Sequence, residues 1–226
     1  MSKAKTSGSR WLPLVLLNSL LIQAGIYVVR PIITYKSVEL GADAALVGLI
    51  GATFALAPLV LAIQVGRFVD KGRAGLALLL GSIILVLTTI ALLFINSIAL
   101  LMLAMPSLGM GHLLIMVGGQ TLIANRSNTP QYEKNFGLLT FYASAGHAIG
   151  PFVGGYLADS GEVNVNANAA FLFALALFVA AVIGTIALST RKENPKTKKP
   201  LEKARVTQVL AIPTFKSAMF VASATT

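Results

Sequence analysis

Apolar residues in this chain fall into six long blocks, and within each block they occupy every helical face rather than a single stripe. The blocks run about Trp11 to Tyr35, Ala44 to Val65, Ala74 to Asn96, Ile98 to Asn125, Phe136 to Ala158 and Ala169 to Ser189. About 20 apolar residues cross the hydrocarbon core as an α-helix, so each block predicts one membrane span. A β-barrel is excluded, because its strands alternate apolar and polar side chains over about ten residues, whereas Leu76-Ala77-Leu78-Leu79-Leu80 is apolar throughout. The expected fold is therefore an all-α integral membrane bundle of six helices over 11–190, after a short cytoplasmic N-terminus at 1–10. Ile95 to Ile98 is hardly more than a turn, which makes the third and fourth spans an antiparallel hairpin.

The pattern changes after the sixth span. Residues 191–209 are polar, basic and interrupted by Pro195 and Pro200; they read as a cytoplasmic linker, with a short amphipathic stretch at Leu201 to Val209 suited to anionic headgroups. A new apolar segment occupies 210–226. About a dozen residues is too short to span, so it reads as the start of a seventh helix cut at Thr226, with a non-spanning tail as the alternative.

Composition supports lipid as the solvent: 56% of residues are hydrophobic, 12% are charged, and the mean hydropathy is +0.79. A net charge of +10 would suggest nucleic acid for a soluble domain, but the placement of the charges removes that partner. Lys3, Lys5 and Arg10 precede the first span; Arg67, Lys71 and Arg73 join the second and third; Arg126 and Lys134 join the fourth and fifth; seven more lie between Arg191 and Arg205. These fifteen share one side, against Lys36 alone in the opposite loops. The positive-inside rule then puts the N-terminus and the linker in the cytoplasm, and the chain in the cytoplasmic membrane as a multi-pass protein in contact with lipid. With no cysteine there are no disulfides or thiolate metal sites. The first span is too long for a signal-peptide core and has no cleavage pattern before Arg30, so it is expected to be retained.

Two motifs carry more than topology. The second-to-third loop reads Gly66-Arg67-Phe68-Val69-Asp70-Lys71-Gly72-Arg73, in which a glycine permits close helix approach and an acid sits near a helix end. The fifth block contains Gly146-His147-Ala148-Ile149-Gly150-Pro151-Phe152-Val153-Gly154-Gly155. Glycines four apart share one helix face and let a neighbouring backbone come close, and Pro151 favours a bend. The first motif resembles the Gly-x-Leu-Ala-Asp-Arg-x-Gly-Arg loop of the major facilitator superfamily, although Phe68 and Val69 replace Leu and Ala and one residue is missing between Lys71 and Gly72. The second resembles the Gly-x-x-x-Gly-Pro-x-x-Gly-Gly motif of that superfamily's antiporters, the drug and metabolite exporters.

The resemblance implies the N-terminal six-helix half of such a transporter, built as two three-helix inverted repeats around a cavity and completed by a C-terminal six-helix half. It implies a conformational latch at Gly66, Asp70, Lys71 and Arg73, with Gly66 allowing close packing and Arg73 partnering Asp70. It also implies an antiporter motif at Gly146, Gly150, Pro151, Gly154 and Gly155, and a small-molecule substrate exchanged by alternating access, with a proton as the candidate coupling ion. One departure concerns the fourth span, where Met105 and Leu108 stand at the Arg and Gln of the family's Arg-x-x-Gln-Gly pattern while Gly109 and Gly111 remain.

Polar residues inside the spans are costly and mark candidate sites. Asn18, Gln23, Tyr27 and Arg30 lie close to one face of the first span and suggest a wet cavity wall; Arg30 fits either that wall or a side chain reaching the headgroups. His112 and Tyr142 join them as substrate-cavity candidates. Gln64 and Gln120 read as interhelical hydrogen-bond partners. His112 and His147, on different helices without a carboxylate beside them, read as packing residues rather than metal ligands, and neither a metal nor another cofactor is expected. All eight acids fall in loops or at helix ends. A proton path would then use His112 or His147, whose ordinary pKa near 6.5 suits a relay, or lie in the C-terminal half. The chain has no Gly-x-Ser-x-Gly, no His-Glu-x-x-His and no pair of membrane aspartates, which leaves no basis for an intramembrane enzyme. A non-transporting six-helix scaffold is the remaining alternative.

The charge asymmetry makes the topology testable. Reporter fusions at Lys198 and Glu162 are expected to report cytoplasm and periplasm respectively, and the reverse pattern would overturn the assigned orientation.

Overall fold

The computed structural model describes residues 11–158 and 166–189. Seven helices occupy them: α1 (Trp11–Glu39), α2 (Ala44–Thr53), α3 (Leu56–Phe68), α4 (Ala74–Phe94), α5 (Ile98–Arg126), α6 (Tyr132–Ala158) and α7 (Ala167–Ser189). No strand occurs among the described residues. The linker at 191–209 and the expected start of a seventh span at 210–226 lie outside them. Trp11–Glu39, Ala44–Phe94, Ile98–Arg126 and Ala167–Ile186 are each long and apolar enough to cross a membrane, and the 51-residue second stretch is interrupted at Lys71 and Gly72. α6 is 27 residues long and more polar, with Asn135, His147, Ser144 and five glycines along it.

Most helix ends fall near the expected positions, and the differences have local causes. α1 runs one turn beyond Tyr35, where Ser37 Oγ donates to Ile33 O at 2.7 Å and Lys36 pairs with Glu39 at 3.6 Å. Asp43 accepts from Leu46 N–H at 2.8 Å and Ser97 accepts from Leu100 N–H at 3.4 Å, so both helices open on an N-cap. Between α3 and α4 the chain reverses through Lys71 and Gly72, and Gly72 adopts φ +76°, a conformation that costs other residues a clash at Cβ. Asn135 Nδ2 donates to Ser127 Oγ at 2.8 Å and closes the α5–α6 connection.

The second span departs from expectation. Ala44 to Val65 was expected as one helix, whereas the structure breaks it between Thr53 and Leu56 and continues it to Phe68. Pro58 gives the reason: it has no N–H for the carbonyl four residues earlier, and its ring pushes that carbonyl aside. The carbonyl belongs to Phe54. It turns toward α5, where it meets Gly109 so closely that a Cβ on Gly109 would collide with the Phe54 oxygen and lie 3.2 Å from Pro58 Cδ.

The packing obeys an exchange of halves. α1 packs on α6 and α7; its counterpart α5 packs on α2–α3 and α4; α4 packs on α7. Swapping the first three spans with the last three maps this set of partners onto itself, as two inverted repeats require. Glycines set the distances. A Cβ on Gly146 would stand 2.6 Å from Leu20 O and one on Gly150 2.6 Å from Ala24 O, so α6 lies backbone to backbone on α1. Gly81 and Gly111 do the same between α4 and α5, 2.7 Å and 3.0 Å from each other's carbonyls by the same measure, and Gly118 meets Ala74 O at 2.9 Å. Large apolar side chains such as Leu59, Ile63, Leu103, Phe152 and Tyr156 point outward, where lipid or further protein is their natural environment.

The α1–α6 seam predicts a contrast between two glycines of the same motif. Gly150→Leu is expected to lower the thermal midpoint in detergent and the yield of inserted protein, because overpacking costs about 1 to 3 kcal/mol or more when the obstacle is backbone. Gly155→Leu, whose Cβ meets nothing within 4 Å, is expected to leave both near wild type, and equal losses would remove the seam.

Candidate functional site

The polar residues of α1 converge on partners from three other helices. Gln23 is buried; its Nε2 donates to Met116 Sδ at 3.0 Å, and its Oε1 lies 3.0 Å from His112 Nε2, both on α5. The oxygen can only accept, so the imidazole carries its proton on Nε2 in this contact. One turn further along α1, the Tyr27 ring stacks on His147 of α6 with centroids 4.1 Å apart and an interplanar angle of 25°. Arg30 follows, its guanidinium 5.9 Å from the Tyr27 centroid and 5.2 Å from that of Phe54, within range of cation–π attraction. Phe54 in turn tilts against His112 at 5.9 Å. Four elements thus contribute to one layer: α1, the break between α2 and α3, α5 and α6.

Two cavities flank the layer along the helix axes. One, of about 210 Å³, lies toward the start of α1 and is lined by Asn18, Ser19, Gln23, Gln120, Ser144 and His147 among apolar neighbours including Ile115 and Leu139. The other, of about 380 Å³, lies toward the end of α1 and is lined by Tyr27, Arg30, Thr34, Ser37, Met105 and Pro151 among others. Gln23 with His112, and Tyr27 with His147, form the wall between them. Asn18 is buried in the first cavity's wall: Nδ2 donates to Ala181 O at 3.3 Å, and Oδ1 has no protein partner. A buried acceptor without a donor is costly, and water or a ligand in the cavity could supply one.

The sequence-predicted candidates divide accordingly. Asn18 and Gln23 line the first cavity and Tyr27 and Arg30 the second, where Arg30 faces residues of α2, α5 and α6; His112 lines neither and joins them through its bond to Gln23. Tyr142 does not join them; it is half-buried, edge-on to Phe141 at 5.9 Å, and lines neither cavity. Gln64 is not an interhelical partner either. With its amide nitrogen turned inward it donates to Val60 O of its own helix at 2.9 Å. Gln120 lines the first cavity. His147, read as a packing residue, lines that cavity as well as stacking on Tyr27. Gly146, Gly150 and Gly154 are buried in the α1–α6 seam, whereas Gly155 is exposed and Pro151 lines the second cavity.

The loop residues form no latch among the described residues. Asp70, Lys71 and Arg73 are exposed, and a Cβ on Gly66 would meet nothing within 4 Å. Arg73 does not pair with Asp70 as expected: its guanidinium lies 5.4 Å from the Phe68 centroid, and Asp70 makes no ion pair with a described residue. Phe54 and Met116 are functional neighbours that sequence reasoning missed. Pro58, four residues after Phe54, was the available signal for the first, and nothing in the local sequence marks Met116.

Comparison with known proteins places this geometry. The chain is 31% identical over 171 residues to the quinolone resistance protein NorA of Staphylococcus aureus, covering 76% of this chain and 43% of that protein. It is 26% identical over 188 residues to multidrug resistance protein 1 of Bacillus subtilis, covering 83% and 47% respectively. The chain therefore spans about half the length of the curated relatives it matches. Its fold resembles the crystal structure of a bacterial homolog of the human lysosomal transporter Spinster, in an inward-facing and unoccupied conformation, with a TM-score of 0.71 and 20% identity over 90% of this chain and 49% of that one. The profile of the Major Facilitator Superfamily matches residues 15–225, and the chain belongs to that superfamily, whose members are membrane transporters rather than enzymes.

Proposed function

We propose that this chain forms the N-terminal half of an efflux antiporter that exports a small amphipathic molecule across the cytoplasmic membrane by alternating access. The observation that carries the reading is the layer of Gln23, Tyr27, His112 and His147 between two cavities. Such a layer separates solvent on its two sides, and its contacts are few enough to exchange. The Gln23–His112 and Gln23–Met116 bonds contribute about 0.6 kcal/mol each within a membrane and the ring stack about 0.5 to 1.5 kcal/mol, so a substrate that replaces them meets a small barrier. The names of the relatives, which speak of quinolone and multidrug resistance, favour export over import.

Coupling to a proton within this half would run through His112 and His147, since the described carboxylates lie only in loops or at helix ends. Asp70 is proposed as one half of a conformational latch. Arg73 lies against the Phe68 ring, and the exposed loop with open space at Gly66 is suited to receiving a segment of the C-terminal half. The antiporter motif is proposed to act through the α1–α6 seam, which holds Tyr27 against His147.

The reading predicts that everted membrane vesicles carrying the full protein accumulate at least one of a panel of anionic, neutral and cationic aromatic dyes when their interior is acidified. Asp70→Asn is expected to slow that uptake about tenfold or more while leaving binding in detergent intact, because one charge-assisted contact contributes about 1.5 to 3 kcal/mol to one state only. No accumulation of any dye would refute the transport reading, and loss of binding in the Asp70 variant would refute the latch.

A further inference from the structure

We infer that the cavity at the end of α1 is an anion-selective subsite, in which Arg30 receives the carboxylate of a planar aromatic ligand. The inference rests on the reading of the chain as half of a transporter and adds the chemical class of what it carries. Arg30 lines this cavity, and its guanidinium forms no ion pair with any described residue. The four acids among the described residues are placed elsewhere: Glu39 faces Lys36, Asp43 caps α2, and Asp70 and Glu133 lie at the opposite ends of the helices. Among the described residues, the cavity therefore holds a cation with no anion beside it.

Geometry adds the shape of the ligand. Tyr27 and Phe54 flank the guanidinium at 5.9 Å and 5.2 Å and restrain it, which leaves its N–H fork free for bidentate bonding to a carboxylate. Met105 and Pro151 supply an apolar wall, and Thr34 and Ser37 supply hydroxyls. A void of about 380 Å³ accommodates a bicyclic aromatic acid. Met105 adds no charge to the cavity wall, so Arg30 is its one charged lining residue among those described, and a single carboxylate matches the site.

The test uses the full chain as encoded, purified in nonionic detergent without charged lipid, and three probes of one shape: 2-naphthoate, 2-naphthamide and 2-naphthylmethylammonium. Calorimetry is expected to show naphthoate binding about tenfold or more tighter than naphthamide, as one charge-assisted bond pair implies, with the ammonium weakest. Arg30→Gln is expected to reduce naphthoate affinity to the naphthamide level and leave naphthamide within about twofold of wild type. Equal affinity for the first two probes, or a preference that survives Arg30→Gln, would overturn the inference. If Arg30→Gln binds neither probe, Arg30→Lys decides: a retained preference supports the subsite and a lost one overturns it. Phosphatidylglycerol added to the micelles separates a soluble anion from a lipid headgroup; an unchanged preference supports the subsite, and one abolished by the lipid assigns Arg30 to headgroup phosphate instead. A protein that prefers naphthoate yet moves nothing in vesicles fails the efflux reading and keeps this one, whereas a transporter without that preference fails this one alone.

Discussion

Close approach of backbones at glycine is the constraint on which the bundle depends. In lipid an apolar side chain gains little by moving from the hydrocarbon to a helix interface, so association rests on van der Waals contact, interhelical bonds and shape. Gly146 and Gly150 bring α6 onto α1, and Gly81, Gly111 and Gly118 bring α4 onto α5. Gly109 accepts the displaced Phe54 carbonyl. That last contact links fold to site, because the same break that Pro58 imposes directs the Phe54 ring toward Arg30 and His112. The exchange of halves is not perfect. Where α4 meets α5 through paired glycines, the equivalent α1–α7 contact seats the Phe178 ring against Gly25, so α7 stands off from α1 by the thickness of a ring.

The polar layer is compatible with that packing because nearly all its groups find partners. Gln23 uses both ends of its amide, His112 uses Nε2, and Tyr27 and His147 cover each other. Asn18 is the exception, with one oxygen unsatisfied in a cavity wall. Bonds of this kind average about 0.6 kcal/mol within membranes, far less than the contribution of a glycine seam several residues long. The seams can therefore stay intact while the layer rearranges, which is the division of labour that a bundle with a movable interior requires.

Six spans, their order and their antiparallel hairpins were legible in the sequence because lipid imposes a length and a uniform polarity that the chain cannot disguise. The seam at Gly146, Gly150 and Gly154 was legible from spacing alone. The break in the second span was written in Pro58, but a proline three residues into a helix and one that ends a helix look alike until the freed carbonyl is located. Gln64 and Gln120 show where local reading stops. Both are lone amides in apolar helices, yet one folds back on its own backbone and the other lines a cavity, and the difference lies in which way each helix is rotated. Tyr142 was misplaced for the same reason, since rotation of α6 turns it away from the face that carries His147. Arg73 turns to the Phe68 ring rather than to Asp70, a choice of partner that the loop motif alone does not specify.

Electrostatics joins these levels. A charged arginine within a span costs up to about 2.5 to 3.5 kcal/mol on insertion scales, less toward the helix end, and cation–π contacts return about 0.5 to 2 kcal/mol each according to their desolvation. Tyr27 and Phe54 thus offset part of the cost of Arg30, and the second cavity, through access to solvent, lowers the rest. The remainder is the reason that this residue is sensitive to what enters: an anion relieves it and a cation adds to it. His112, which touches both Gln23 and the Phe54 ring that supports Arg30, stands between that charge and the wall dividing the cavities. Occupancy beside Arg30 and the state of the wall therefore share an intermediary within one side chain's reach, so a ligand in one cavity can bias the contacts that close it from the other without any rearrangement of the glycine seams.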